Sequence, residues 1–295
     1  MALHEPALTR EVLTFLAPQR GGLFVDCTLG AGGHSLALLD AGATRLIGLD
    51  RDPAAIAIAA ETLKAFRDRA ELVQADFREL DAVLDARGIG TIDGALADLG
   101  VSSMQLDAPG RGFSFQRDEP LDMRMDTTSP RTLGDLLRHV SEIELADVIH
   151  NYGEERHARR IARAVVRARE HEPIRSTGQL AELIRRSIPR HGWSRIDPAT
   201  RTFQALRIWV NEELEGLDDF LLRLLRRLAT GARAVVIAFH SLEDRIVKHT
   251  FRALERAADI RARVLTKKPV VPSEEEIARN PRARSAKLRA IERLA

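Results

Sequence analysis

The first third of the chain alternates short apolar runs with stretches of helical spacing. Four apolar runs predict buried strands: Leu23 to Thr28, Arg45 to Asp50, Glu71 to Ala75 and Ile92 to Leu99. Residues 53–66, between the second and third runs, have the spacing of a helix. Strand, turn and helix in alternation are typical of a parallel sheet with helices on both faces. We therefore predict an α/β fold with a mostly parallel, Rossmann-like sheet.

The alternation stops after Ser103. Residues 106–130 contain scattered glycines and prolines and predict a long loop, and helical periodicity then extends from residue 133 to about residue 188. The pattern of residues 103–188 therefore predicts a mainly helical segment inserted into the α/β fold.

The strand pattern returns near the C-terminus. A buried strand is predicted at 233–239, after a helix with leucines at three- and four-residue steps. Two last strands are predicted at 263–267 and 287–292, antiparallel to their neighbours. We expect an α/β domain in two parts, 1–107 and 208–295, and a helical insertion at 108–207.

Charge is distributed unevenly along the chain. The net charge is +2, but residues 156–207 contain thirteen arginines and four acidic residues, so this stretch carries +9 and the remainder −7. A basic segment in an otherwise acidic chain predicts a surface for a polyanion. The alternative is a solvated helix face in an arginine-rich protein, since only five residues are lysines.

Composition limits the class of protein further. Cys27 is the only cysteine, which excludes an intrachain disulfide and fits a reducing compartment. No run approaches the roughly 18 apolar residues of a membrane span, and charged residues interrupt the N-terminal segment where a signal peptide would be apolar. The nine histidines are scattered, so we predict no metal site. We expect a cytoplasmic protein that makes no use of a membrane.

Candidate ligand-binding residues lie where the predicted strands end. A glycine-rich loop containing Gly32, Gly33 and His34 follows the first strand, where the missing Cβ atoms let the backbone approach a ligand. Asp50 ends the second strand, twenty positions after Gly30, where an acid accepts hydrogen bonds from ribose hydroxyls.

The next two strands also end in acidic residues. Asp76 closes the third strand beside Phe77, whose ring can pack on an adenine while Asp76 accepts from its amino group, and Asp98 ends the fourth. Acids at these positions disfavour a pyrophosphate and suit the sulfonium and ammonium groups of S-adenosylmethionine. The loop also places Ser35 where a dinucleotide-binding motif would have its third glycine. We predict S-adenosylmethionine rather than NAD.

The target atom follows from the available nucleophiles. Methylation of pyrimidine carbon 5 requires a cysteine nucleophile, and Cys27 lies in the glycine loop rather than after the fourth strand. An exocyclic amine requires orientation and a proton acceptor, which Asp98 and Ser102 can supply. The alternative is that Asp98 serves the cofactor alone. His34 is interpreted as a wall of the cofactor site rather than a base.

The chain resembles the ribosomal RNA small subunit methyltransferase H family, also called the MraW family. The resemblance extends over nearly the whole length and depends on an ordered set of motifs: TLGAGGHS from Thr28, LDRDP from Leu49, DLGVSS from Asp98, RGFSF from Arg111, LDMRMD from Leu121, NYGEER from Asn151, RTFQALRIWVN from Arg201, HSLEDR from His240 and NPRARS from Asn280. One such block can arise by chance, whereas the ordered set is highly specific.

The resemblance implies a class I methyltransferase fold whose helical insertion helps to recognise RNA. It implies S-adenosylmethionine as cofactor and methylation of N4 of a cytidine in the decoding region of 16S rRNA, within the small ribosomal subunit; a homodimer is left open. Transferred position by position, it implies cofactor contacts at Gly32, Gly33, His34, Asp50, Phe77, Asp98 and Gln105.

The basic segment contains a regular arginine pattern. Placed on one helix, five arginines share a face and predict phosphate contacts: Arg156, Arg159, Arg160, Arg163 and Arg167. The alternative is a solvated face balanced by Glu154 and Glu155. Two other functions are also considered: methylation of another RNA or a protein, and a non-catalytic RNA-binding factor with an adenosine ligand. The presence of Asp98, Ser102 and Gln105 argues against the second.

Overall fold

The computed structural model describes residues 6–189 and 197–295. Two compact units are present: residues up to Ser102 together with Leu214–Ala295 form the first unit, and Ser103–Glu213 form the second. The segment predicted as an insertion, 108–207, therefore lies within the second unit.

The strands of the first unit form one sheet in the order β3-β2-β1-β4-β5-β7-β6. The described strands are β1 (Leu23–Asp26), β2 (Arg45–Asp50), β3 (Ala70–Gln74), β4 (Ile92–Asp98), β5 (Leu228–Ala238), β6 (Ala262–Val264) and β7 (Lys287–Arg293). Strands β1 to β5 pair in parallel, and β7 is antiparallel to both β5 and β6. The predicted mostly parallel α/β sheet, including its antiparallel C-terminal strands, is confirmed.

Thirteen α-helices are formed by the described residues. They are α1 (Thr9–Leu16), α2 (Gly33–Asp40), α3 (Pro53–Thr62), α4 (Leu80–Asp85), α5 (Ser103–Asp107), α6 (Leu133–His139), α7 (Glu142–Gly153), α8 (Ala158–His171), α9 (Thr177–Ser187), α10 (Ala199–Asn211), α11 (Leu217–Arg227), α12 (Ser241–Arg256) and α13 (Glu274–Arg279). Helices α5 to α10 belong to the second unit and the others to the first. No helix in the described ranges is both long and apolar enough to span a membrane.

The sheet of the first unit is buried on both faces. Successive residues of a strand point to opposite faces, so Ile47 and Val236 join one apolar cluster while Leu46 and Val235 join the other. Continuous apolar runs such as those of β2 and β5 are the consequence, since helices cover a parallel sheet on both sides. The order of strands reverses at β1 and β4, and ligands of open parallel sheets bind at the carboxyl ends of strands beside such a reversal.

Helices α7, α8 and α10 pack together in the second unit, and α9 packs on α8. The predicted long loop before α6 is held in place by a buried amide. The Nδ2 of Asn211 donates to the carbonyl oxygen of Met123 at 2.7 Å, and its Oδ1 accepts from the backbone N–H of Met125 at 2.7 Å. These bonds satisfy backbone groups that no strand or helix partners in this loop.

Candidate functional site

The glycine loop is joined to the end of β1 by a buried carboxylate. Asp26 Oδ2 accepts from the Ser35 hydroxyl at 2.7 Å, and Oδ1 accepts from the backbone N–H of Thr28 at 3.2 Å. Burial raises the pKa of Asp26 to about 6, although the nearby His34 and both hydrogen bonds oppose this shift. The first turn of α2 is thereby anchored to β1.

Gly32 and Gly33 are required by conformation and by packing. Gly32 has a φ of +82°, a left-handed conformation that L-residues with a Cβ rarely adopt. A Cβ on Gly33 would lie 3.1 Å from Pro6 Cγ, and one on Gly32 would lie 3.3 Å from Ala59 Cβ. The two glycines therefore bring the loop close to other parts of the first unit, which is a structural reason for them beside the predicted ligand contact.

Asp50 joins the glycine loop to the end of β2. Its Oδ2 accepts from the backbone N–H of Gly30 at 2.8 Å, and its Oδ1 accepts from that of Asp52 at 2.8 Å. Burial raises the pKa of Asp50, although these two hydrogen bonds lower it in part. Each carboxylate oxygen keeps a second lone pair, so the group can still accept from a ligand hydroxyl.

His34 and Asp98 lie side by side at the carboxyl ends of β1 and β4. The distance from His34 Nε2 to Asp98 Oδ2 is 3.5 Å, and the imidazole is only 5% exposed. Within the described residues, His34 Nδ1, His34 Nε2 and Asp98 Oδ1 are buried without a hydrogen-bond partner. Because buried polar atoms are nearly always satisfied, these three atoms indicate a ligand-binding position.

Strand β4 is also linked to the glycine loop. The backbone N–H of Asp98 donates to Thr28 Oγ1 at 2.6 Å. A Cβ placed on Gly30 would lie 3.9 Å from the Cβ of Ser102, so Ser102 is adjacent to the same loop. The sequence shows that the loop contains two hydroxyl residues, Thr28 and Ser35. Their spacing alone does not predict that they bind Asp98 and Asp26.

The Asp76 carboxylate at the end of β3 is bound by two arginines, which the sequence pattern does not predict. The Asp76 carboxylate accepts from Arg78 Nε at 2.8 Å and Nη2 at 3.0 Å, and it lies 3.6 Å from Arg51 Nη1. Burial raises the pKa of Asp76, but the hydrogen bonds from Arg78 and the charge of Arg51 outweigh it and hold the pKa below its usual range. An adenine amino group would share this carboxylate with two arginines.

Phe77 follows Asp76 directly and is half-buried. Its ring packs on Phe220 with 4.7 Å between centroids. Gln105, the remaining predicted cofactor residue, is buried in α5 of the second unit. The first unit thus brings the predicted residues Gly32, Gly33, His34, Asp50, Phe77, Asp98 and Ser102 to the carboxyl ends of β1 to β4.

The end of β5 is closed by a helix cap. His240 Nδ1 accepts from the backbone N–H of Glu243 at 3.4 Å, and Glu243 Oε2 accepts from that of Phe239 at 2.8 Å. His240 is therefore the N-cap of α12.

The arginine row of α8 is exposed. Arg159, Arg160, Arg163 and Arg167 lie on α8 with exposed side chains, while Ile161 and Val165 are buried. Arg163 Nε lies 3.2 Å from Glu142 Oε1. The side chains of the other three form neither an ion pair nor a hydrogen bond within residues 6–189 and 197–295.

The prediction that Arg156 shares this helix is wrong. Arg156 precedes α8, because Glu154 takes a left-handed conformation with a φ of +49° and ends α7. The Glu155 carboxylate then accepts from the backbone N–H of His157 at 2.8 Å, and α8 begins only at Ala158. Glu155 is thus engaged in the turn, whereas the alternative interpretation required it to balance the arginines.

The sheet order, with the antiparallel β7 beside β5, is that of the class I, Rossmann-like methyltransferase fold. The chain belongs to the MraW methylase family, whose profile matches residues 1–294. The resemblance identified from sequence motifs is confirmed.

Individual relatives are similar over their full lengths. Proteins named ribosomal RNA small subunit methyltransferase H from Anaeromyxobacter dehalogenans and Geotalea uraniireducens are 53% and 50% identical over 305 and 307 residues, each alignment covering 99% of this chain and 98% of the relative. A protein of the same name from Bradyrhizobium diazoefficiens is 51% identical over 304 residues, covering 99% of this chain and 92% of the relative.

Family membership confirms S-adenosylmethionine as the cofactor. The residues at the strand ends fit it. Asp26, Asp50 and Asp98 supply negative charge that suits a ligand with sulfonium and ammonium groups, and the unpartnered atoms of His34 and Asp98 can be satisfied by a polar ligand.

Proposed function

We propose that this chain methylates N4 of a cytidine in the decoding region of 16S rRNA, within the small ribosomal subunit. The observation that carries the proposal is the full-length similarity to proteins named ribosomal RNA small subunit methyltransferase H, at 53% identity over 99% of this chain. The geometry of Asp98 and the burial of Cys27 support the choice of an amine as the methylated atom.

The cofactor is held by residues at the ends of β1 to β4. Asp50, fixed by two backbone N–H groups, accepts from the ribose hydroxyls. Phe77 packs against the adenine, and Gly32, Gly33 and His34 complete the contacts made by the first unit. The contact at Gln105 stays a prediction from the family resemblance. When bound, S-adenosylmethionine supplies a methyl carbon made electrophilic by the adjacent sulfonium.

Asp98 orients the target amine and receives its proton. Its Oδ1 is buried and has no hydrogen-bond partner among the described residues, so it can accept from a cytosine N4–H. With the methyl carbon supplied by the bound cofactor, the N4 amine would lose its proton to the Asp98 carboxylate as it is methylated. Ser102 follows β4 and accepts from the second amine hydrogen.

The position of Cys27 favours an amine over carbon 5. Its side chain is buried, with 2% of its surface exposed, and burial raises the pKa of the thiol well above its usual value. A thiol of this kind is neither accessible nor ionised, whereas attack on a pyrimidine ring requires a thiolate.

The α8 arginines bind the RNA backbone while the target cytidine leaves its stack. Arg159, Arg160 and Arg167 offer guanidinium groups that no acid in the described structure neutralises, and Arg163 adds a fourth beside Glu142. Phosphate contacts of this kind position an RNA without reading its sequence, and a base must leave its stack before chemistry can occur on it.

The test is methyl transfer from labelled S-adenosylmethionine to small ribosomal subunits that lack this modification, followed by mass analysis of the rRNA nucleosides. We expect N4-methylated cytidine with the wild-type chain and none with Asp98→Ala. Label on another nucleoside would refute the assigned atom. No label on rRNA, with cofactor binding intact, would refute the substrate.

A further inference from the structure

Helix α12 of the first unit carries a second row of cations. Lys248, Arg252 and Arg256 follow one another at four-residue steps and therefore share one side of the helix. Arg252 and Arg256 are exposed and Lys248 is half-buried. The core-facing side of the helix buries Val247 and Phe251, so Arg252 and Arg256 lie on the exposed side and Lys248 lies at its border.

These three cations are not neutralised within the described structure, where they have neither an ion pair nor a hydrogen bond. The acids of α12 outside the core are engaged elsewhere. Asp244 Oδ1 accepts from Arg289 Nε at 2.6 Å, and Glu255 Oε1 accepts from the backbone N–H of Val264 at 2.8 Å.

Four other arginines of the first unit are paired with acids. Arg223 and Arg227 bind Asp81, and Arg233 and Arg263 bind Glu292. Like charges four residues apart destabilise a helix, so an unpaired row on α12 opposes the stability of the helix that carries it. An anion outside the chain would remove that penalty.

The three cations lie on a helix that begins at the edge of the sheet where the cofactor residues lie. Helix α12 begins directly after β5, at the carboxyl ends of the parallel strands, where Asp50 and Asp98 also lie. Lys248 comes about 10 Å along the helix from its first residue, and Arg256 about 12 Å further, at 1.5 Å per residue. A linear polyanion lying along the row would therefore lead toward the cofactor edge.

We propose that the α12 row, defined as Lys248, Arg252 and Arg256, binds phosphates of the rRNA substrate. The inference rests on the proposed function and adds an RNA contact on the unit that holds the cofactor. An RNA strand is the occupant that the charge pattern favours, because its phosphates repeat regularly and guanidinium groups bind them in bidentate fashion. A folded acidic protein would present a less regular pattern of charges.

The test compares two triple variants of the full-length chain. The first is Lys248→Gln, Arg252→Gln and Arg256→Gln. The control is Arg10→Gln, Lys64→Gln and Arg67→Gln, which removes the same charge from exposed side chains that lie beside acids. Affinity for an unmethylated 16S rRNA transcript is measured over a series of salt concentrations, and transfer to unmethylated small subunits is measured in parallel.

We expect the α12 variant to lose at least tenfold in RNA affinity and to reduce the slope of log affinity against log salt by about 2 to 3. The control variant should match the wild type, and calorimetry should give all three proteins the same cofactor affinity. Unchanged affinity and slope in the α12 variant would overturn the inference, and so would an equal loss in both variants. A wild-type chain that transfers no methyl group to rRNA would overturn the proposed function itself and this inference with it.

Discussion

Asp50 combines a structural role in the glycine loop with a proposed role in cofactor binding. Its carboxylate accepts from the backbone N–H groups of Gly30 and Asp52 and is assigned to the ribose hydroxyls. We expect Asp50→Ala to weaken cofactor binding at least 100-fold in calorimetry, because it removes all of these bonds. Asp50→Asn keeps one acceptor and should lose about tenfold, since a hydrogen bond to a charged group contributes about 1.5–3 kcal/mol.

A matched control for Asp50 exists at the opposite edge of the sheet. Asp93 Oδ2 accepts from the backbone N–H of Leu23 at 2.7 Å, so Asp93→Ala removes a comparable bond at the amino ends of the strands. Its cofactor affinity should equal that of the wild type. Full retention of binding in Asp50→Ala would refute the ribose assignment.

Asp98 allows catalysis and cofactor binding to be distinguished. Asn has the same shape as Asp but cannot take up the amine proton, so Asp98→Asn should lower kcat by a factor of about 100 to 10,000. The Kd for S-adenosylmethionine should change less than tenfold. If instead the Kd rises and kcat at saturation is preserved, Asp98 serves the cofactor alone.

Asp26 should make stability depend on pH. Its pKa rises from 3.8 to about 6 on folding, so between these values the folded chain binds more protons than the unfolded chain. The contribution of Asp26 to the free energy of unfolding therefore falls as pH rises through this window, by up to about 3 kcal/mol. Asp26→Asn should lack this fall in urea titrations at about pH 4 and pH 7.

A second variant sharpens the Asp26 test. Ser35→Ala removes a hydroxyl that donates to the ionised carboxylate at 2.7 Å, so the folded pKa of Asp26 should rise further. The total loss of stability with rising pH should then be larger than in the wild type and extend to higher pH. Parallel curves for the wild type and Asp26→Asn would show that burial does not shift the pKa of this residue.

Sequence alone predicted individual site residues better than their partners. Glycines and acids at strand ends are recognisable because parallel strands bring their carboxyl ends to one edge of the sheet. The contact of His34 with Asp98 joins residues 64 positions apart, and no periodicity encodes it. The binding of Asp76 by Arg51 and Arg78 was missed because side-chain direction decides it.

At the scale of elements, the α8 helix gives the most direct test of RNA binding. Arg159→Glu with Arg163→Glu replaces two cations by two anions on its exposed face. We expect RNA affinity to fall at least tenfold and the salt slope to decrease by about 2, because two phosphate contacts are lost. Binding of the 16S transcript over a salt series measures both quantities.

The control for α8 reverses two other exposed arginines of the second unit. Arg138 pairs with Asp135 and Arg186 pairs with Glu182, and both residues lie on other helices. Arg138→Glu with Arg186→Glu should therefore leave RNA binding near the wild-type value. Equal losses in both double variants would show that only total charge matters, and the α8 face would then be no more than solvated surface.

Strands were easier to predict than the beginning and end of irregular elements. The first four strands match the predicted runs to within two residues, because continuous apolar runs are required in a sheet covered on both faces. The start of β5 was missed because its pairing shifts: Leu228 faces Ile92, yet Arg233 faces Gly94. The irregular stretch between them, which contains Thr230 and Gly231, interrupts the strand pattern.

At the scale of the whole molecule, the two parts of the first unit are separated in the sequence by the whole of the second unit. Strand β4 ends at Asp98 and β5 begins at Leu228, yet the two are neighbours in the sheet. The entropy of closing a loop grows only with the logarithm of its length, so a folded unit between two neighbouring strands costs little stability. This explains how one continuous α/β sheet can accommodate residues that the sequence shows as a second, helical pattern.

The presence of one cysteine in the whole chain gives a test of the reaction type. If transfer proceeded through covalent attack on pyrimidine carbon 5, that cysteine would be indispensable. Cys27 is buried behind the glycine loop with a raised thiol pKa, so we assign it to packing only. Cys27→Ala should fold with a loss of about 1 kcal/mol or slightly more, as expected for removing one buried group.

The Cys27→Ala chain should therefore methylate small subunits with a kcat within about threefold of the wild-type value. The change in kcat is small because the Cys27 thiol forms no bond to the substrate. The product nucleoside should remain N4-methylated cytidine in mass analysis. Complete loss of transfer, with unfolding and cofactor affinity unchanged, would require a thiolate in the reaction and would refute direct attack by the amine.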